Sequence, residues 1–455
     1  MNRQLSEFAA AMQGSLVGDD GGFSAVSIDS RTCTPGALFF ALKGDRFDGH
    51  NYLSAAIDNG AVAVVVDRKC NVSVPQIVVG DTLLALQAAS AAWRRNFNIP
   101  VVGVAGSNGK TTTKGMIATI LSLLGPCHAT KGTLNNHIGV PLTLLALEPS
   151  HATAVIEIGA NHPGEVAALV ALAAPTVGIV TNAGEEHLEG FGSLEGAARA
   201  EGELFAGLDR SATAVINADD AFADLWRQMN RADTIVEFGL KDGAAVTIRG
   251  DISVSGHAGE SQQFELRCPV GAARVSLGLV GRHNVQNALA AAAVAGSLGC
   301  TPAQIASGLM QVSPVRGRLE VKRALSGACV IDDTYNANPT SLDVALEAVG
   351  TVAGRRWLVL GNMAELGDAS MSAHHRAGVD ARRAGIERLY TVGDLAVHAA
   401  AAFGAGAESF DTVELLASHL KQHIPSDITL LVKGSRVNRL ERLVDALVNE
   451  SSLEG

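Results

Sequence analysis

The chain has 455 residues, too many for a single hydrophobic core, and its length predicts about three domains. Its residues are 47% hydrophobic but only 4% aromatic, with 49 glycines, which suits aliphatic α/β packing with many tight strand–helix turns. A formal net charge of −11 argues against a general nucleic-acid surface, while leaving room for a local cationic pocket around a small anion.

From the N-terminus, residues 1–16 carry no apolar run behind a basic start, so no secretory signal is expected. Strand-like pieces at Ala37–Leu42, Ala61–Val66 and Gln76–Val79 surround a polar middle, Lys43-Gly-Asp-Arg-Phe-Asp-Gly-His50, and mark residues 1–80 as a small α/β domain. Apolar residues at helical spacing predict a linker helix over 81–97.

Residues 98–311 open on the most informative stretch. An apolar strand, Val101–Ala105, runs into Gly103-Val-Ala-Gly-Ser-Asn-Gly-Lys-Thr-Thr112, and a helix is predicted over Thr113–Leu124. Glycines let backbone N–H groups wrap a phosphate, Lys110 can neutralise its charge, and Thr111 can offer a hydroxyl to Mg²⁺. The spacing departs from the strict Walker pattern, since Val104 stands where the first glycine belongs and Gly103 is one place upstream. A ligand-free glycine turn is the alternative; Gly-Lys-Thr-Thr between strand and helix favours a nucleoside triphosphate.

Further strands at Ala154–Ile158 and Val177–Thr181, with helices at Glu165–Ala173 and Leu194–Phe205, predict a parallel sheet with right-handed crossovers. Residues 244–280 alternate instead (Val246–Ile248, Phe264–Arg267, Val275–Leu277) and predict an antiparallel extension, closed by a helix over Asn284–Leu298. Residues 312–455 return to alternating strands (Cys329–Ile331, Trp357–Leu360, Arg388–Val392, Thr429–Val432) and helices, a Rossmann-like domain. Ala167–Val180, the most membrane-like run, is short and broken by Pro175 and Gly178, so no membrane insertion is expected. The six cysteines form no C-x-x-C pair, which predicts neither disulfides nor a zinc site and fits a reducing cytoplasm.

Ligands of open α/β sheets bind beyond the carboxyl ends of the strands, and the polar residues of this chain gather there. Glu157 ends one strand, 182–187 follow another, and Asp332, Asp333, Asn362, Glu365 and Lys433 follow strands of the last block. Two sets of strand ends predict one cleft between two domains. Taken singly, these residues stay open. Glu157 fits Mg²⁺, a Lys or Arg partner, or a helix cap; His187 fits a structural role; Asp332-Asp333 fit an N-cap pair or a ribose or metal contact. Arg316, Arg318, Lys433 and Arg436 fit solvated charges or, beside Gly317, Gly434 and Ser435, anion contacts.

Together these segments resemble the Mur ligase family, ATP-dependent enzymes that form amide bonds in peptidoglycan precursor synthesis, over essentially the whole chain. Ser27-Ile-Asp-Ser-Arg31 and Leu38–Gly44 with Arg46–His50 resemble its UDP-holding part, which implies Ser30, Arg31 and Lys43 as contacts. Gly106-Ser-Asn-Gly-Lys-Thr-Thr112 resembles its ATP loop, which implies nucleotide contacts from Gly106, Ser107, Asn108, Gly109, Lys110, Thr111 and Thr112. Gly281-Arg-His-Asn-Val-Gln-Asn287 resembles the segment at the adenine end, implying Asn284 and Asn287, and Arg316–Glu320 with Asp332–Pro339 imply Arg316 and Asp333. Lys131–Pro141, Glu157–Glu165, Tyr335–Ser341 and Val432–Arg436 resemble the branch that adds D-alanyl-D-alanine to UDP-N-acetylmuramoyl-tripeptide; the Asp-Asn-Pro-Arg motif of the diaminopimelate-adding branch is absent. The expected substrate contacts there are Asn135, Asn136, Asn336, Asn338 and Lys433.

The resemblance implies a cytoplasmic, monomeric ligase using ATP and Mg²⁺, with Lys110, Glu157 and His187 catalytic. It also implies three domains: 1–80 for the UDP substrate, a linker helix over 81–97, a central ATP-binding domain over 98–311, and 312–455. Thr111, Glu157, His187 and Glu201 are the expected metal residues. Glu201 departs from the pattern, since in Arg199-Ala-Glu-Gly-Glu203 it stands where the family carries a lysine that CO₂ converts to a carbamate. The replacement is already anionic, though its side chain is shorter. The other readings are a related Mur-type or folate-type ligase, and a P-loop regulatory ATPase.

Overall fold

In a computed structural model of the chain, residues 3–44, 47–256 and 261–449 are described. Arg46, one of the positions carrying the resemblance, lies outside the described residues. The architecture is α/β throughout, built on three large sheets in chain order.

The first sheet has the strand order Ser15–Val17, Gln76–Val78, Ala61–Val66, Ala37–Phe40, Ala25–Ser27, parallel except for the first pair. Both faces are covered, as parallel strands require. Leu38, Phe40, Ala63 and Val65 point to one core, while Ala37, Phe39, Val64 and Val66 point to the other. The predicted linker helix runs from Thr82 to Arg94, capped by the Asp81 carboxylate, which accepts from Leu83 and Leu84 N–H. Its Leu86, Ala89 and Trp93 share the first core with the middle sheet, and Trp93 Nε1 donates to Leu147 O at 3.1 Å.

The middle sheet has six parallel strands in the order Cys127–Ala129, Thr153–Glu157, Val101–Ala105, Val177–Val180, Thr213–Asn217, Thr234–Phe238. The chain leaves Val101–Ala105 toward one edge and later crosses to build the other. The phosphate-type loop therefore leaves the sheet where strand order reverses, the usual place for a ligand crevice. Successive residues alternate faces: Val101 and Ala105 join Ile156 and Val180 on one side, Val102 and Val104 join Val155 and Ile179 on the other. Each fully buried valine of this kind contributes about 1.5–3 kcal/mol. That burial fixes the register, and the register fixes which polar residues reach the strand ends.

The helix after the loop begins at Lys110, three residues earlier than predicted. Gly109, with φ 82°, turns the chain so that Lys110, Thr111 and Thr112 form the first turn. Their polarity hid the start from an apolar-periodicity reading. The antiparallel extension consists of Thr247–Ser255, Ser261–Cys268 and Gly271–Leu277, longer strands than predicted. Phe264, Leu266, Val275 and Leu277 pack under the helix Arg282–Ser297, in which every residue from Ala288 to Ala295 is buried and six of those eight are alanine.

The last sheet has the order Glu320–Arg323, Cys329–Asp333, Ile428–Lys433, Arg355–Gly361, Arg388–Val392, Ala407–Phe410, with only the first pair antiparallel. Asp332 and Asp333 are the last residues of their strand rather than the loop beyond it. Among the described residues, no helix is long and apolar enough to cross a membrane.

Candidate active site

One cleft of about 790 Å³ lies between the carboxyl ends of the middle and last sheets, where the strand-end rule places it. Its floor is the loop of residues 106–109. Gly106 N donates to Glu201 Oε2 at 2.7 Å, Ser107 N to Asn182 O at 2.9 Å and Asn108 N to Asn182 Oδ1 at 3.0 Å. Thr181 Oγ1 and Asn182 Nδ2 both donate to Asn108 O. Gly109 has no tolerance for a side chain: its φ is left-handed, and a Cβ there would lie 2.6 Å from Asn287 Oδ1.

Lys110 folds over this loop, its ammonium donating to Gly106 O at 2.5 Å and Ser107 O at 3.1 Å, with Glu186 Oε2 at 3.5 Å. Burial acts to lower its pKa, but Glu186, Glu201 and Glu157 outweigh that and raise it, so the charge is secure. The carboxylates divide. Burial alone would raise Glu186, yet Lys110, His187 and Arg318 hold it below its ordinary value. Glu201 is pushed up to about 7 by burial, against the pull of Lys110 and the Gly106 N–H. His187 Nε2 lies 3.4 Å from Glu186 Oε1, and its Nδ1 is paired with Glu365. Burial lowers the imidazole pKa, the two carboxylates raise it, and the carboxylates win.

Glu157 resolves its open reading through a lysine. Lys114 Nζ lies 2.9 Å from Oε2, while Thr111 Oγ1 (3.2 Å) and Asn135 Nδ2 (2.9 Å) reach Oε1. This carboxylate, 1% exposed, is therefore compensated within the protein. Among the described residues, no three of His, Cys, Asp and Glu converge to hold a metal ion. The expected set Thr111, Glu157, His187 and Glu201 is thus not a ready-made cage. Its oxygen-rich chemistry still fits Mg²⁺, which binds through one or two carboxylates and completes its shell with phosphates and water.

At the far end of the cleft, Asn287 Nδ2 donates to Asn284 Oδ1 and Asn284 Nδ2 to Val280 O, which fixes both expected asparagines. Asn217, Asp219, Asp220, Phe238 and Gln286 line the same end. Burial brings His283, beside them, down to about 4, so it is neutral at physiological pH.

The last sheet supplies the opposite wall. Asp333 accepts from Lys433 Nζ at 2.5 Å, and Lys433 also donates to Asn336 O, so this expected substrate lysine is engaged inside its own block. Asn336 Nδ2 approaches Glu186 at 3.4 Å, and Asn338 Nδ2 donates to Asn108 Oδ1 at 3.1 Å. Asn338, not the Asp332-Asp333 pair, caps the helix Pro339–Gly350; Asp332 turns away to Lys322 at 2.6 Å. Asn136 caps the turn into Gly139–Leu145. Arg318 stacks on Tyr335 with its guanidinium 4.3 Å from the ring centre and donates to Thr111 Oγ1 at 3.3 Å. Its Nε is buried and, among the described residues, has no hydrogen-bond partner.

Several expected residues stand elsewhere. Arg316 is exposed and pairs with Asp445 at 3.0 Å, outside the cleft. Arg318, two residues on, lines the cleft instead. Ser30, Arg31 and Lys43 lie on the first sheet's block and do not line the cleft, with Arg31 held by Asp29 and Lys43 by Asp67. Lys114, Glu186, Asp219 and Tyr335 were not singled out from sequence. Lys114 had a signal, since it lies one turn from Lys110 on the same helix face. Asp219 follows a strand, Thr213–Asn217, that the alternation of apolar residues understated.

Comparison with known proteins agrees with this geometry. Three family descriptions match in order: "Mur ligase family, catalytic domain" over residues 23–108, "Mur ligase middle domain" over 104–295 and "Mur ligase, glutamate ligase domain" over 317–436. The chain belongs to the Mur ligase family. Within the Mur ligases it is 42% identical over 445 residues to the UDP-N-acetylmuramoyl-tripeptide--D-alanyl-D-alanine ligase of Escherichia coli strain K12, covering 97% of this chain and 98% of that one. Its fold is similar to a crystal structure of MurF from Acinetobacter baumannii, with TM-score 0.91 and 34% identity over 98% of this chain and 99% of that one. It is also similar to the MurF ligase of Thermotoga maritima in complex with ADP, with TM-score 0.83 and 28% identity over 93% and 96% of the two chains. Mur ligases are ATP-dependent enzymes, in keeping with the loop around Lys110.

Proposed function

We propose that this protein joins D-alanyl-D-alanine to the terminal carboxylate of UDP-N-acetylmuramoyl-tripeptide, using ATP, in peptidoglycan precursor synthesis in the cytoplasm. The full-length similarity to the Escherichia coli ligase, at 42% identity, carries this reading. The cleft supplies the chemistry it needs.

A carboxylate resists attack by an amine because a second negative charge must develop on it. Transfer of the γ-phosphoryl group of ATP makes an acyl phosphate, which the dipeptide amine attacks through a tetrahedral intermediate; ADP, phosphate and the extended peptide leave. The work of the protein is positioning and charge neutralisation. In this reading the loop 106–109 and the first turn at Lys110–Thr112 hold the triphosphate, while Asn284 and Asn287 face its base. Lys110 and Arg318 spread the charge of the migrating phosphoryl. Asp333 holds the ribose end. Asn135, Asn136, Asn336 and Asn338 line the route of the peptide, and Lys433 acts there by holding Asp333 and Asn336 in place.

Mg²⁺, when bound, supplies charge neutralisation at the phosphates. Thr111 and Glu157 would hold one ion, with His187 and Glu201 at a second, where Glu201 replaces the family's carbamate without any need for CO₂. The domain roles follow the same scheme: 1–80, with Ser30, Arg31 and Lys43, for the UDP moiety, 81–97 as linker helix, 98–311 for ATP, and 312–455 as the closing half.

The test is mass spectrometry of the product from UDP-N-acetylmuramoyl-tripeptide, D-alanyl-D-alanine and MgATP. A product carrying the added dipeptide, with ADP release dependent on both substrates, supports the reading. ADP release driven by a single amino acid instead of the dipeptide defeats it.

A further inference from the structure

Between Gly361 and Leu366 the last block presents a short loop whose backbone is tied down residue by residue. Asn362 N donates to Asn438 Oδ1 at 3.0 Å, and Asn362 O accepts from Asn438 Nδ2 at 2.8 Å and Ser435 N at 3.1 Å. Met363 N donates at 2.9 Å to Nε2 of His374, a fully buried ring whose Nδ1 is held against Ser370 O at 2.6 Å. Ala364 N donates to Ser435 Oγ at 2.9 Å.

The anchored loop delivers Glu365 in a left-handed conformation, φ 63°. Its carboxylate meets Nδ1 of His187 on the middle block, and its carbonyl accepts from Glu189 N at 3.3 Å. His187 is left-handed as well, φ 51°. Such conformations are uncommon outside glycine and persist where the surroundings over-determine them, often at working sites. Here two of them face each other across the cleft, each held by the other's segment.

We propose that Glu365 is a positioning residue for phosphoryl transfer, accepting from Nδ1–H of His187 and thereby holding its Nε2, with the lone pair its proposed role requires, toward the phosphate end of the cleft beside Glu186. Because Glu365 belongs to the last block, the imidazole takes this orientation only when that block is seated against the middle one. The role rests on the ligase reading above and adds to it a coupling between block seating and the phosphate end of the cleft. A carboxylate behind a functional imidazole acts through ring orientation, so its loss lowers turnover rather than substrate binding.

The test compares Glu365→Ala and Glu365→Gln with wild type by steady-state kinetics using UDP-N-acetylmuramoyl-tripeptide, D-alanyl-D-alanine and MgATP. The ¹⁵N spectra of the histidine side chains are recorded alongside, with His187 assigned from H187Q. In E365A, kcat falls about 10- to 100-fold while KM for each substrate stays within about twofold. E365Q, whose amide oxygen still accepts from Nδ1, regains most of the rate, and the His187 Nδ1 resonance moves in E365A but far less in E365Q. An E365A enzyme with unchanged kcat, a rise in KM in place of the kcat loss, or an unmoved His187 resonance overturns the proposal; the last two would make Glu365 a plain interdomain clasp. An inactive wild type, by contrast, defeats the ligase reading itself.

Discussion

Lys114 reaches Glu157 at 2.9 Å from the second turn of the phosphate-loop helix, and both side chains are almost wholly withheld from water. A buried pair of this kind adds little net stability, but removing one partner strands the other. Lys114→Met should destabilise the fold by about 3–5 kcal/mol. Chemical denaturation measures it, and the double variant with Glu157→Gln should recover most of the loss. A cost below about 1 kcal/mol for Lys114→Met would mean that Glu157 is compensated by something other than Lys114.

Lys110 is the cation nearest the loop and is surrounded by three carboxylates that keep it charged. Lys110→Met should lower kcat about 100- to 1000-fold, the scale for loss of a preorganised electrostatic contact to developing charge. ADP release in the presence of all three substrates is the measurement. Turnover within tenfold of wild type would remove Lys110 from the transition state.

Glu201 gives a stability that depends on pH. Its carboxyl is ordinarily half-ionised near 4.5, and burial pushes it up to about 7. The folded state therefore favours the neutral acid. That advantage is complete below pH 4.5 and is lost as pH rises toward 7, where ionisation inside the protein must be borne. Glu201→Gln, permanently neutral and still able to accept from Gly106 N–H, should gain stability over wild type between pH 5 and 8. The gain is on the order of 3 kcal/mol at its upper limit. Thermal melts across that range check the sign. If the proposed metal role holds, the same variant is more stable and less active.

Tyr335 carries two separable contacts, the stack with Arg318 and a hydroxyl that donates to Thr133 Oγ1 at 2.9 Å. Tyr335→Phe keeps the stack and should cost at most about 1 kcal/mol in kcat/KM for ATP. Tyr335→Ala frees Arg318 from its position and should cost about tenfold or more. Equal losses in the two variants would place the weight on the hydroxyl instead.

The sheets were legible because buried parallel strands leave runs rich in apolar and β-branched residues, as in Val101–Ala105 and Arg388–Val392, whose bounds the structure reproduces. Helix Glu165–Ala173 was likewise read correctly from its apolar spacing. Polar starts were harder, and Lys110–Thr112 hid a helical turn for that reason. In the cleft, residues at strand ends could be listed from sequence, but not which partner each would choose. Glu157 took Lys114, Asp332 took Lys322, and Arg316 left the cleft to Asp445. Pairings of this kind depend on distances between residues far apart in the chain, which periodicity does not encode.

The helix Arg282–Ser297 sets Asn284 and Asn287 at one end of the cleft through a run of side chains that are nearly the smallest available. These alanines are fully buried against larger aliphatic neighbours such as Val104, Ile117 and Leu266, so an added methylene anywhere from Ala291 to Ala293 overfills the core and presses on the helix. Under the ligase reading, nucleotide geometry is thus exposed to substitutions a full turn or more beyond Asn287. Variants that lose ATP affinity without altering a single contact residue are to be sought along that seam.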